Sequence, residues 1–266
     1  DSIRDQPHTS AAALVNSTQT VTERKQTLQR VSAGEVEFVF LAPEQLQKED
    51  TRETLRAANP SLFVIDEAHC ITEWGHDFRP DYLSLGDIIE SLGHPTVLAL
   101  TATAAAPVRE AIIERLRMRE PRVLVHGFDR PNISLRADHF EKEDDKLEAL
   151  LRRLHWAERP GIVYTATRKT AEQLTASLLA AGTNAVCYHA GLRAKERDMI
   201  HENFMSGAAE VIVATNAFGM GVDKPDIRFV YHYDISDSLD SYYQEIGRAG
   251  RDGAPAETLT LFGPDD

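Results

Sequence analysis

Asp66-Glu-Ala-His69 directly follows the apolar run Leu62–Ile65, and Gln244-Glu-Ile-Gly-Arg-Ala-Gly-Arg-Asp-Gly253 sets Arg248 and Arg251 three residues apart between glycines. Splitting a nucleoside triphosphate needs a carboxylate to hold magnesium, a group to orient the attacking water, and cations to meet charge on the γ-phosphate. Asp66 suits the metal, held through the ion's waters because magnesium dehydrates reluctantly. Glu67 suits the water. Arg248 and Arg251 suit arginine fingers carried by a second domain, so that closure assembles the site. Taken singly, the segments have plain alternatives: a strand-ending acidic pair and a Gly-Arg surface turn. In one chain and in this order they favour the chemical reading. No Gly-Lys-Ser or Gly-Lys-Thr occurs, so the phosphate-cradling loop that such chemistry uses is missing from this sequence.

A second group of residues suits nucleic acid. Cys70 to Tyr82 combines Trp74, His76, Phe78 and Arg79 with Gly75 and Pro80. Unpaired bases stack on aromatic groups for about 1–3 kcal/mol each; the alternative is that Trp74 and Phe78 pack inward. Thr167 is placed to cap the helix after Ile162–Tyr164. With Arg168 and Lys169, it makes that N-terminus either a phosphate site or a plainly capped helix. His189, in Tyr188-His-Ala-Gly191, suits a backbone phosphate or a satisfied loop histidine, and both readings stay open. Asp223 follows Gly219 and Gly221, whose lack of side chains permits close backbone approach to a ligand; Asp223 itself reaches a ribose or shapes a turn. Thr101, Thr103 and Asn216 also fall after apolar runs, at the strand ends where ligands of open α/β sheets bind.

These groups need a scaffold, and 266 residues suffice for two compact domains. Apolar runs predict strands at Phe38–Leu41, Leu62–Ile65, Val97–Leu100, Val123–Val125, Ile162–Tyr164, Ala185–Tyr188, Val211–Ala214, Phe229–Tyr233 and Thr258–Leu261. Helices are predicted near Val21–Ala33, Pro107–Arg117, Asp145–His155, Ala171–Ala180, Arg193–Phe204 and Leu239–Ile246. Thr20 with Glu23 forms a capping box for the first helix. The alternation means parallel sheets covered by helices on both faces. The acidic, Pro-containing stretch Phe128–Asp145 is read as the boundary, giving domains 1–128 and 129–266 with a cleft between facing domains. The opening Asp1-Ser-Ile-Arg-Asp-Gln6 reads as a truncated start, leaving the first domain incomplete.

Composition narrows the function classes. The 42% hydrophobic and 27% charged content suits a soluble globular protein. No apolar run approaches membrane-spanning length and no export signal is visible. Cys70 and Cys187 have no metal-ligand spacing, which excludes a four-cysteine zinc site within this chain and fits a reducing cytosol. The net charge of −13 argues against a general polyanion binder, because the summed field repels phosphate. Nucleic acid would have to be held by local arginines, backbone amides and helix N-termini.

Taken together, the segments resemble the RecQ family of superfamily-two DNA helicases over nearly the whole chain. The resemblance rests on Asp66-Glu-Ala-His69 with its aromatic loop, Thr101-Ala-Thr103 and Phe128-Asp-Arg-Pro-Asn132. It continues through Tyr188-His-Ala-Gly191, Ala214-Thr-Asn-Ala-Phe-Gly-Met-Gly-Val-Asp223 and Tyr243 to Gly253, with Arg4-Asp5-Gln6 and Asn16-Ser17 also similar. RNA helicases of the Asp-Glu-Ala-Asp type usually carry a histidine-arginine pair where this chain has Gln244, and lack such a loop. The resemblance implies two RecA-like α/β domains that bind ATP and Mg2+ and move 3′ to 5′ along single-stranded DNA, opening duplex DNA in repair and recombination. It implies Asp66 and Glu67 as metal and water carboxylates and Arg248 and Arg251 as fingers, with His69, Gly221, Asp223 and Gln244 also around the nucleotide. Trp74, His76, Phe78 and Arg79 become the DNA-sensing loop, with Thr101 and Thr103 coupling it to the nucleotide. Thr167, Arg168, His189 and Asn216 complete the DNA contacts. A cytoplasmic, nucleoid-associated place in a bacterial-type cell is also implied. The family's glutamine segment and Gly-Lys-Ser/Thr loop are expected upstream, and its zinc-binding and winged-helix modules beyond Asp266. The rival reading is a non-hydrolysing DNA-binding module with a degenerate nucleotide site.

Overall fold

The computed structural model describes residues 12–16, 19–72, 78–102, 105–125, 127, 129–219 and 222–264. The chain divides into two compact units, Asp1–Val125 and His126–Asp266.

In the first unit the described elements are β1 (Ala12–Val15), α1 (Val21–Ser32), β2 (Phe38–Leu41), α2 (Glu49–Ala58), β3 (Leu62–Ile65), α3 (Leu85–Ser91), β4 (Thr96–Ala99) and α4 (Ala106–Arg115). Short 3-10 turns at Pro43–Gln47, Ala68–Ile71 and Pro80–Ser84 join them. β1 pairs parallel with β2, and β3 pairs parallel with β4, Leu62 opposite Thr96. The capping box forms as read: the Glu23 amide donates to Thr20 Oγ1 at 3.2 Å, and the Thr20 amide donates to the Glu23 carboxylate at 2.8 Å. Leu46, Leu55, Ile65, Ile71, Ile88 and Leu116 lie in one buried cluster that supports the carboxyl end of β3.

The second unit runs β5 (Ile133–His139), α5 (Glu143–Trp156), β6 (Gly161–Tyr164), α6 (Arg168–Ala180), β7 (Ala185–Tyr188), α7 (Ala194–Ser206), β8 (Val211–Ala214), β9 (Phe229–His232), α8 (Leu239–Ile246) and β10 (Ala256–Phe262). Its six strands form one sheet in the order β5-β10-β9-β6-β8-β7, every pair parallel. Every residue of β6, β8 and β9 is buried, which continuous apolar runs require when helices cover both faces. Successive side chains of β9 feed opposite cores: Phe229 and Tyr231 join Leu150, Leu154 and Leu174, whereas Val230 joins Ile162, Phe204 and Phe218. A Cβ on Gly161 would lie 2.2 Å from the Phe229 ring, so that position has room only for hydrogen.

The structure departs from the sequence reading in several places. Val123–Val125 forms no strand; the three side chains are 51–66% exposed, and no strand among the described residues gives their backbone a ladder partner. The stretch Phe128–Asp145 is not simply a connector, because β5 lies inside it and pairs with β10 over seven positions. β5 is an edge strand whose Ser134–Ala137 side chains all face water, which gives it a linker's composition. α2 and α3 were also unforeseen. α2 buries only Thr51 and Leu55, one polar and one apolar side chain a turn apart, so it shows no apolar run.

Candidate functional site

In the first unit the chemistry-bearing residues cluster where β3 and β4 end. Asp66 is exposed just past β3, with its Oδ1 accepting from the Glu67 amide at 2.9 Å. Glu67 adopts the left-handed conformation at φ 49°, uncommon for a residue with a side chain. The surroundings hold it there: the Ala68 amide donates to Leu100 O at 2.9 Å, the Leu100 amide to Ile65 O at 2.8 Å, and the Cys70 amide to Glu67 O at 2.9 Å. A turn so fixed keeps the two adjacent carboxylates in a set geometry after the strand end. Glu67 Oε2 has no hydrogen-bond partner among the described residues and lies 3.4 Å from His69 Nδ1. The same imidazole nitrogen stands 2.9 Å from Thr101 Oγ1, joining the carboxylate turn to the end of β4.

The exposed Asp66 carboxylate is a hard-oxygen group that would suit a magnesium ion keeping most of its waters, with the Glu67 carboxylate next to it in the chain. No group of three or more metal-capable side chains occurs among the described residues.

Sequence reasoning missed Tyr82. Its hydroxyl donates to Asp66 O at 3.2 Å, tying the 3-10 turn Pro80–Ser84 under the carboxylates. Burial, then the neighbouring Cys70, push its pKa up; Asp66 and Glu67 add to this and Arg79 opposes it, so the phenol stays a donor. Tyr82→Phe is expected to cost about 1 kcal/mol of stability, read as a thermal midpoint lower by roughly 2–4 °C. The loop that follows His69 is closed at its base by the Arg79 amide donating to Cys70 O at 3.0 Å. Phe78 is half-buried and Arg79 exposed. Trp74, His76, Thr103 and Gly221 lie outside the described residues.

In the second unit, Thr165 and Thr167 follow β6, Asn216 follows β8 and Asp234 follows β9. Around their strand ends lies a cavity of about 30 Å3, lined by Tyr164, Asn216, His232, Asp237 and Glu245 among others. Thr167 caps α6, its Oγ1 accepting from the Thr170 amide at 3.0 Å. His189 is 4% exposed, and its Nε2 stands 3.1 Å from Glu172 Oε1. Its Nδ1 has no hydrogen-bond partner among the described residues. A Cβ built on Gly191 would meet Arg168 Nη1 at 3.0 Å and His189 Nδ1 at 3.2 Å. A guanidinium and an orphaned imidazole nitrogen therefore converge on the space that Gly191 leaves open.

Both candidate fingers dock on the segment between β8 and β9. Arg248 Nη1 donates to Gly219 O at 2.5 Å, and its Nε is buried without a partner among the described residues. Arg251 Nη1 donates to Val222 O at 3.3 Å and Asp223 Oδ1 at 3.1 Å. Asp223 is thus beside Arg251, on an 88% exposed side chain. Gln244 sits in the last turn of α8, and Asn216 makes only a long 3.4 Å bond to Asp237. Beside them is a network the sequence did not disclose: Glu245 Oε2 lies 2.8 Å from His232 Nε2 and accepts from Ser236 Oγ at 2.6 Å.

The DEAD/DEAH box helicase family matches residues 4–111, and the helicase conserved C-terminal domain matches residues 145–253. The probable ATP-dependent DNA helicase RecS of Bacillus subtilis is 42% identical over 96% of this chain and 51% of its own length. The ATP-dependent DNA helicase RecQ of Pasteurella multocida is 38% identical over 96% of this chain and 40% of its own. The chain belongs to the RecQ family. It spans about half the length, or less, of these curated RecQ-type relatives. Among solved structures, Mycobacterium smegmatis helicase Lhr bound to single-stranded DNA and AMP-PNP aligns with a TM-score of 0.74 at 20% identity, covering 97% of this chain and 35% of that one. That likeness concerns the fold, RecA-like α/β units with parallel sheets flanked by helices. No helix among the described residues of this RecQ-family chain is long and apolar enough to cross a membrane.

Proposed function

We propose that this chain is the motor of an ATP-dependent DNA helicase that moves 3′ to 5′ on single-stranded DNA and opens duplexes in repair and recombination, in the cytoplasm. The observation that carries the reading is the fixed turn after β3, which holds the Asp66 and Glu67 carboxylates side by side. Bound magnesium would offset charge on the phosphates. Asp66 would hold the ion through its waters. Glu67 accepts a hydrogen bond from the attacking water and takes its proton as the water oxygen bonds to the γ-phosphorus, while the bond from that phosphorus to the β–γ bridging oxygen breaks and ADP leaves. Arg248 and Arg251 supply positive charge to the phosphoryl group in flight. His69 hands the state of the nucleotide to Thr101 through their 2.9 Å contact. Asp223 and Gln244 complete the nucleotide's surroundings.

DNA phosphates are held by Arg168, the α6 N-terminus and His189 around Gly191, with Asn216 beside them. Discrete contacts of this kind serve a chain with net charge −13, whose overall field repels a polyanion. The direct test uses the protein expressed from its complete reading frame, with ATP, magnesium and duplexes carrying a 3′ or a 5′ single-stranded tail. Unwinding of the 3′-tailed duplex alone, dependent on hydrolysis, is the expected result. Unwinding that needs no ATP, or only a 5′ tail, would overturn the reading.

Trp74 tests how DNA reaches the carboxylates. Only four residues separate it from His69, so a loop that repositions on DNA pulls on the turn that holds Glu67. Trp74→Ala should therefore lower DNA-stimulated hydrolysis and unwinding far more than single-strand affinity, which many backbone contacts share. Saturating oligonucleotide in the ATPase assay, beside a binding constant at the same salt, separates the two. Full stimulation with weakened binding would make Trp74 a stacking platform only.

A further inference from the structure

Asp129-Arg-Pro-Asn132 has no part in the chemistry above, yet its side chains reach the arginine turn across almost the whole second unit. Arg130 Nη2 donates to Ala249 O at 3.1 Å and to Gly250 O at 2.9 Å. Asn132 Nδ2 donates to Gly250 O at 2.8 Å and to Ala254 O at 2.9 Å. The two residues thus take three carbonyls of the segment 247–254, and they meet at Gly250 O.

That segment needs such support. Gly247, Gly250 and Gly253 give its backbone great freedom, and Gly250 and Gly253 adopt φ of 55° and 82°. A Cβ on Gly250 would stand 2.6 Å from Asn132 Nδ2 and 2.8 Å from Ala254 O, so the glycine admits the asparagine. The donors are themselves fixed. The Ile133 amide closes the Arg130 turn at 2.9 Å, and the Ala256 amide donates to Asn132 O at 2.9 Å where β5 and β10 begin to pair. From the other side the Gly250 amide donates to Ile227 O at 2.8 Å. The clamped carbonyls of Ala249 and Gly250 lie in the chain between Arg248 and Arg251.

We propose that Arg130 and Asn132 are positioning residues for phosphoryl transfer: they fix the backbone between the two arginines and so set where the Arg251 guanidinium stands. This rests on the reading of Arg251 as a cation for the γ-phosphate. A displacement of about 1 Å in a catalytic group costs up to roughly 100-fold in rate.

The test uses the complete protein with ATP, magnesium and single-stranded DNA. Asn132→Ala is expected to lower kcat roughly 10- to 100-fold, with KM for ATP and DNA affinity within about twofold. Asn132→Asp, similar in size but without the amide donors, should do at least as much harm. Arg130→Lys, which still donates, should retain more turnover than Arg130→Ala. Added to Arg251→Ala, the Asn132→Ala change should cost less than about twofold more, because no charge remains to be positioned. Amide hydrogen exchange across 247–253 should rise about tenfold or more in Asn132→Ala, with the rest of the sheet unchanged. Equal losses in both backgrounds would make Asn132 a general prop and overturn the inference, as would unchanged turnover and exchange in Asn132→Ala. Normal turnover in Arg251→Ala would overturn the reading of Arg251 and the inference with it.

Discussion

Glu67→Gln is expected to abolish DNA-stimulated ATP hydrolysis while leaving nucleotide binding largely intact. An amide fills the same volume but cannot accept a proton from the attacking water. Glu67 is suited to the role by its backbone as much as by its side chain. The left-handed conformation at φ 49°, locked by the bonds from Ala68 and Cys70, fixes how the carboxylate leaves the chain. Its Oε2 accepts no hydrogen bond from the described residues, with His69 Nδ1 3.4 Å away. Asp66 should behave differently, because losing the metal's anchor weakens binding of the Mg–ATP complex itself. The check is turnover at saturating oligonucleotide beside the dissociation constant for a fluorescent ATP analogue. Near-normal turnover in Glu67→Gln would sink its assignment.

Arg251→Ala should cost about 10³-fold or more in turnover, as removal of an arginine finger does in phosphoryl transfer, with little effect on DNA affinity. Arg251→Lys should rescue poorly, since a point charge lacks the guanidinium fork. The two arginines are held differently. Arg251 is 39% exposed and pairs with an Asp223 carboxylate that is 88% exposed, a contact worth no more than about 1 kcal/mol in water. Arg251 can therefore exchange this partner for a phosphate at small cost. Arg248 donates to Gly219 O from a part-buried position with its Nε enclosed. Its replacement should also loosen the segment between β8 and β9, so Arg251 gives the cleaner measurement. If the main effect of Arg251→Ala were lost DNA binding, the arginine would be a strand contact.

What could be read from the residues, and what could not, follows from where the determining contacts lie. β6, β8 and β9 announce themselves because burial on both faces demands unbroken apolar runs, and the polar residues after them mark the functional edge. Asp66 and Glu67 are legible for the same reason. β5 is not, since an edge strand with four successive exposed side chains resembles a connector. Val123–Val125 misleads in the opposite sense, having strand composition but no strand partner among the described residues. At the site, the sequence indicates groups that chemistry requires and omits those that hold them. Tyr82 under Asp66, His232 against Glu245, and Asn132 against Gly250 each depend on a meeting that only the fold creates. His189 shows the middle case. Its residue type allowed phosphate binding or simple burial, and the structure gives it both a carboxylate partner and an open nitrogen.

β10, the last strand among the described residues, lies between β5 and β9 instead of at the rim of the sheet. Among the described residues β5 has no other strand partner, and β10 leaves the ribosome about 120 residues after it. Until then the nascent second unit holds β5 unpaired and β9 with one open side, both ready to pair with another chain. Contacts so distant in sequence form slowly and leave partly folded chains prone to aggregate. Because the arginine turn leads directly into β10 and is held by the start of β5, it takes its shape only as the final strand slides in. Chains stopped short of Ala256 should therefore accumulate as insoluble material, and the machinery for phosphoryl transfer is among the last parts of this unit to exist during its synthesis.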